Sequence, residues 1–130
     1  MTSKKSSDFI KQKQEILARR RRIIFNNDGC DVFTVPSDRE PTPENLLAER
    51  STGLAGTHVD VISYTTISSG FSMFTHNTRM GEILTNKHPS KGRNIAPELI
   101  EQGKDGLETM VEFGQKHDME VFWSMRMNDT

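Results

Sequence analysis

A single cysteine, Cys30, stands among 130 residues, so neither an internal disulfide nor a cysteine-based zinc site can be built. Cys30 reads as a small buried or half-buried side chain. No apolar run approaches the ~20 residues of a membrane-spanning helix. The opening MTSKKSSDFIKQKQ carries basic residues but no apolar core, so it does not read as a secretory signal, and the chain as given reads as cytoplasmic. Charge of either sign is not in excess: 17 Lys and Arg face 18 Asp and Glu, a net charge of −1. That balance leaves no overall field to recruit nucleic acid or a membrane. A Gly-x-Ser-x-Gly elbow, a P-loop and a Cys-x-x-Cys pair are all missing. The four histidines, His58, His76, His88 and His117, are scattered too widely for a metal site, and no cofactor is expected.

What is present is uneven. Lys4, Lys5, Lys11, Lys13 and Arg19 to Arg22 load the first 22 residues with base. A solvated helix face leading into a strand explains this run more simply than an RNA- or lipid-binding arm. Residues 1–7, small and polar, read as a disordered tail. From Asp8, a candidate N-cap, the residues Phe9, Ile10, Lys13, Ile16 and Leu17 follow near helical spacing. Their narrow apolar stripe needs something else to pack on.

The rest alternates. Ile23-Ile24-Phe25 is a short apolar run that fits a strand covered on both faces, and Asn26-Asn27-Asp28-Gly29 after it is turn-forming. Cys30 to Pro41 reads as a long loop. Thr42-Pro43-Glu44 announces a helix, with Thr42 as N-cap and Pro43 in the first turn, and Gly53 ends it. Val59 to Ile67 is the second strand. Residues 71–96 are the least regular part, a length that in a compact domain is functional or flexible. Pro97 to Gln102 reads as a short helix and Asp105 to His117 as a longer one. Met119 to Met125 is the third strand.

The order α-β-α-β-α-β argues for a parallel sheet with right-handed crossovers. An open doubly wound sheet also fits, but the first strand lacks the glycine-rich phosphate turn of nucleotide binders, with one glycine where three are expected. The expected fold is therefore an incomplete (β/α)8 barrel of the TIM type. Its first three parallel strands and crossover helices would occupy residues 8–130, and 130 residues are too few to close eight strands. A third strand that ends in polar residues with no helix after it reads as the opening part of a larger protein.

Three strand ends then deliver polar side chains to one rim: Asn26, Asn27 and Asp28; Tyr64, Thr65, Thr66, Ser68 and Ser69; and Ser124, Arg126, Asn128 and Asp129. Amides, hydroxyls and carboxylates form a donor and acceptor set that matches sugar hydroxyls. Phe71, Phe74 and Trp123 offer apolar faces for a sugar ring. Turn chemistry equally explains Asn26 to Gly29, core packing explains Tyr64 and Trp123 more simply than a ligand platform does, and Arg126 and Asp129 can pair with each other or with neighbouring strands. Asp28 with Asp129 forms a candidate carboxylate pair for glycoside chemistry.

Four blocks together form one pattern: Arg22 to Gly29, Val59 to Tyr64, Gly103-Lys104-Asp105-Gly106-Leu107, and Met119 to Thr130. The pattern resembles the N-terminal part of a family of glycoside-hydrolase-like (β/α) barrels, over about residues 8–130. The resemblance implies a carbohydrate substrate and hydrolysis of glycosidic bonds. It also implies that the catalytic carboxylates follow later strands, supplied by a missing C-terminal part of the barrel, so that this portion alone is inactive. Asn26, Asn27, Asp28, Tyr64, Trp123, Arg126, Asn128 and Asp129 would then bind substrate. The alternative is a non-catalytic carbohydrate-binding or scaffold protein.

Overall fold

The structure, a computed structural model, describes residues 2–67, 73–86 and 93–126. In chain order the elements are α1 (Thr2–Ala18), β1 (Ile24–Asn27), a 3-10 turn (Cys30–Phe33), α2 (Pro43–Arg50), a second 3-10 turn (Thr52–Leu54) and β2 (Val61–Thr65). They continue with β3 (Met73–Phe74), β4 (Glu82–Ile83), α3 (Ala96–Glu101), α4 (Gly106–Lys116) and β5 (Glu120–Ser124). β1, β2 and β5 form a parallel sheet in that order, and β3 pairs with β4 in a separate two-stranded sheet.

This arrangement corrects the expected barrel fragment. The described residues hold a mixed α/β fold with five short strands in two small sheets, and the three-stranded sheet is open, with β1 and β5 as its outer strands. Among the described residues no helix stands between β2 and β3. The chain instead doubles back through an antiparallel bridge between Ile67 and Phe74, fixed by a Thr75 amide bond to the Thr66 carbonyl, and builds the second sheet. Strand and helix alternation is a property of local propensity; sheet closure is set by what the irregular stretches do, and propensity is silent there.

Several local expectations hold. Thr42 caps α2 by accepting from the Asn45 amide, with Pro43 in the first turn. Asp105 caps α4 in the same way, accepting from Glu108. Two shifts matter for the site. Asn26 and Asn27 lie inside β1, not in the turn after it, and the Cys30–Pro41 stretch is not a surface loop throughout: Val32, Phe33 and Val35 are buried. These three join Leu46, Leu84, Ile95, Ala96 and Leu99 in one core, tied by a bond from the Ile95 amide to the Val32 carbonyl. A second core fills the space between sheet and helices, with Ile62, Tyr64, Met110, Phe113 and Met119 at its centre and Phe25 and Val121 packed against it.

Paired residues of parallel strands point to the same face, so Ile24, Ser63 and Phe122 share the opposite side of the sheet. Ile24 is 55% and Phe122 42% exposed there. α1 begins well before Asp8, and its residues from Ser6 to Ala18 are all exposed, the Phe9, Ile10, Ile16 and Leu17 stripe included. The link from α1 to β1 is pinned: Arg21 grips Glu120 with Nε to Oε2 at 2.6 Å and Nη2 to Oε1 at 2.9 Å, and its guanidinium sits 5.3 Å from the Phe122 ring centre. Arg22 meets Asp60, which also accepts from the Arg22 and Ile23 amides. Part of the basic run is thereby used to hold the amino ends of the strands together.

α4 lies close on β5 because Gly114 has no side chain. A Cβ there would come 2.6 Å from Val121 Cγ2 and 2.8 Å from the Met119 carbonyl oxygen. Alanine normally gains about 1 kcal/mol over glycine inside a helix, but overpacking costs about 1–3 kcal/mol. Gly114→Ala is therefore expected to lower the urea midpoint, whereas Gly53→Ala, with nothing within 4 Å, should leave it almost unchanged. A midpoint for Gly114→Ala at or above wild type would show that helix and strand can separate freely.

Candidate functional site

The register sets Asn27, Tyr64 and Trp123 side by side in one row across the carboxyl ends of the three parallel strands. In open parallel sheets this end is where ligands bind. The row brings together three residues that the sequence reading selected, but it divides them between two tasks.

Asn27 and Tyr64 are buried, in a network centred on Asp31, itself 0% exposed. Asn27 Nδ2 donates to Asp31 Oδ2 at 2.9 Å, the Tyr64 hydroxyl donates to Oδ1 at 2.9 Å, and the Val32 amide donates to Oδ1 at 3.1 Å. Asn27 Oδ1 accepts from the Gly29 amide at 3.0 Å. Burial pushes the Asp31 carboxyl above its ordinary range despite these donors, and burial next to Asp31 drives the Tyr64 hydroxyl well up. The network ties β1, its turn and β2 into one unit. Asp31 was not singled out from sequence; the signal was its place four residues after Asn27, on the far side of Gly29.

Trp123, 48% exposed, belongs to a second network. Its indole Nε1 donates to Thr66 Oγ1 at 2.7 Å, and the same oxygen lies 2.7 Å from His76 Nδ1. The His76 ring meets Trp123 edge-on at 6.3 Å and Phe74 at 5.4 Å. Thr66 follows β2 and His76 follows β3, and the Thr66–Thr75 backbone bond sets them side by side. Asp105 closes the arrangement, with Oδ2 accepting from the Asn77 amide at 3.0 Å while Oδ1 caps α4. Burial lowers the His76 pKa below the ordinary histidine range, against an opposing pull from Asp105, which favours the neutral ring. Spacing along the chain gave no reason to single out His76, since the reversal through Ile67 and Phe74 is what carries it to the rim.

The chain matches no family model, no curated protein and no solved structure.

The remaining candidates lie apart. Asn26 is exposed in β1, on the open face of the sheet. Asp28 pairs with Arg50 and accepts from the Cys30 amide; burial raises its carboxyl, but these two contacts outweigh it and hold the group below the usual range. Arg126 is exposed and makes contacts of its own. Ser68, Ser69, Phe71, His88, Asn128 and Asp129 lie outside the described residues. Among the described residues no three His, Cys, Asp or Glu side chains are grouped to hold a metal ion, and no helix is long and apolar enough to cross a membrane.

Proposed function

We propose that the carboxyl end of the parallel sheet binds carbohydrate, with the Trp123 ring as the apolar platform and the His76 imidazole as an adjacent polar contact. The observation that carries this reading is a half-exposed indole whose N–H is already tied to a buried threonine. An aromatic held in this way offers a fixed face for the C–H side of a sugar ring at little cost in side-chain entropy. The adjacent His76 imidazole provides a polar contact of the kind that sugar hydroxyls need.

Binding is favoured over hydrolysis at this site because, among the described residues, three aspartates of this end already have partners. Asp28 is held by Arg50, Asp31 is sealed beneath Asn27 and Tyr64, and both oxygens of Asp105 accept backbone amides. A glycosidase needs two carboxyl groups free to flank the scissile bond.

Trp123 is the only tryptophan, so its fluorescence reports the site directly. Titration with cellohexaose, xylohexaose and mannohexaose should give a saturable change in emission with at least one of them. Trp123→Ala should weaken that binding roughly tenfold by calorimetry, the worth of one stacked aromatic, about 1.5 kcal/mol. No emission change with any of the three, or full affinity in Trp123→Ala, would end the proposal.

A further inference from the structure

We infer that Thr66 is a positioning residue that fixes His76 as the Nε2–H tautomer, making the imidazole a hydrogen-bond donor to an acceptor oxygen of the ligand bound against Trp123; the ligand half of this inference rests on the carbohydrate reading above.

An indole N–H can only donate, so at 2.7 Å Thr66 Oγ1 accepts from Trp123. The hydroxyl has one proton of its own and one further lone pair. His76 Nδ1 sits 2.7 Å away, and among the described residues it is the other side-chain partner of this oxygen. Were Nδ1 protonated, the hydroxyl would accept two N–H groups while its own proton, at a residue only 1% exposed, found no acceptor. A buried donor left unpaired is unfavourable enough to decide the question. The arrangement that satisfies every group has Trp123 donating to Thr66 and Thr66 donating to an unprotonated Nδ1. A neutral imidazole then carries its proton on Nε2, which makes no hydrogen bond among the described residues. The charged group acting on the ring is Asp105, whose two oxygens are occupied by the Asn77 and Glu108 amides. Nothing there competes for the Nδ1 position.

Long-range proton–nitrogen NMR of the intact chain at pH 7 reads the tautomer without any ligand. Nδ1 is expected to be unprotonated and Nε2 protonated. Thr66→Val should release the tautomer preference, shift the Trp123 indole N–H signal, and weaken binding of whichever hexasaccharide the fluorescence titration selects by roughly tenfold. Thr66→Ser keeps the hydroxyl and should restore all three, a rescue that a purely packing role for the threonine methyl would not give. A protonated Nδ1 in the wild-type chain overturns the inference and leaves the carbohydrate reading to the Trp123 titration. A locked tautomer with no hexasaccharide bound overturns the carbohydrate reading and the donor role with it. Loss of the lock with affinity unchanged overturns the donor role alone. Should Thr66→Val fail to fold, the wild-type tautomer and the Thr66→Ser spectrum decide the matter.

Discussion

Asp31→Ala should destabilise the chain by about 4 kcal/mol, mostly through what it leaves behind. The Tyr64 hydroxyl and the Asn27 amide would both lose their acceptor inside the protein, and each buried donor without a partner costs about 1–3 kcal/mol. Release of a buried carboxylate offsets part of this, since burial already holds Asp31 above its ordinary range. Small domains have about 5–15 kcal/mol in total, so the loss is a large share. Asp31→Asn is expected to fall between: its oxygen can still accept from Tyr64 and Val32, but its NH2 would face the NH2 of Asn27. Asn27 cannot turn over to relieve this without giving up the Gly29 amide. Tyr64→Phe should cost less than Asp31→Ala, and the double variant less than the sum, because both remove the same bond. Urea midpoints at constant slope measure all four. An Asp31→Ala midpoint within about 1 kcal/mol of wild type would show the network to be incidental.

The same group sets a sign for pH. A carboxyl whose folded pKa is raised binds its proton more tightly in the folded state, so its share of stability is greatest in acid and declines as pH rises through that raised pKa. Glu120 runs the other way. Its bond to Arg21 lowers its pKa, so the stability it adds is present above the ordinary glutamate range and is lost as pH falls through the depressed value. Acid titration of Asp31→Asn and Glu120→Gln against wild type should separate the two slopes.

These contrasts show what the sequence could and could not reveal. Thr42-Pro43-Glu44 and the Gly103 to Leu107 block carry helix-start chemistry within a few residues, and both helices begin there. The three parallel strands were legible because β-branched and aromatic runs are local signals. Asn27 and Tyr64 were legible as strand-end residues and Trp123 as an apolar face, and the register sets the three in one row. Their division of labour was not. Whether an amide faces solvent or an aspartate depends on the path of the Gly29 turn, and whether a histidine reaches the rim depends on a reversal through a stretch with weak local preference. The barrel expectation failed for the same reason: β3 and β4, which form the second small sheet, fall in residues 71–96, the stretch whose pattern is least regular.

Gly29→Ala is expected to be as damaging as Asp31→Ala, through backbone alone. Gly29 has φ of 74°, and a Cβ added to it would lie 1.9 Å from the Thr65 carbonyl oxygen and 3.0 Å from its carbon. Gly56 and Gly103 share the conformation, each with φ of 75°, but have nothing within 4 Å. Those two positions isolate the conformational part, about 1–2 kcal/mol for a left-handed non-glycine residue. Gly29→Ala adds a collision with backbone, which no rotamer can relieve. The turn after β1 or the end of β2 must move, and a total loss of about 4 kcal/mol or more follows. The displacement also has a direct readout. Thr65 is the neighbour of Thr66, and Thr66 holds both His76 and the indole of Trp123. If Gly29→Ala folds at all, Trp123 emission and the His76 tautomer should both change, whereas Gly56→Ala and Gly103→Ala should leave them as in wild type. Equal urea midpoints for all three alanine variants would mean that the β1 turn does not press on the end of β2. The link from that turn to the Trp123 site would then be broken.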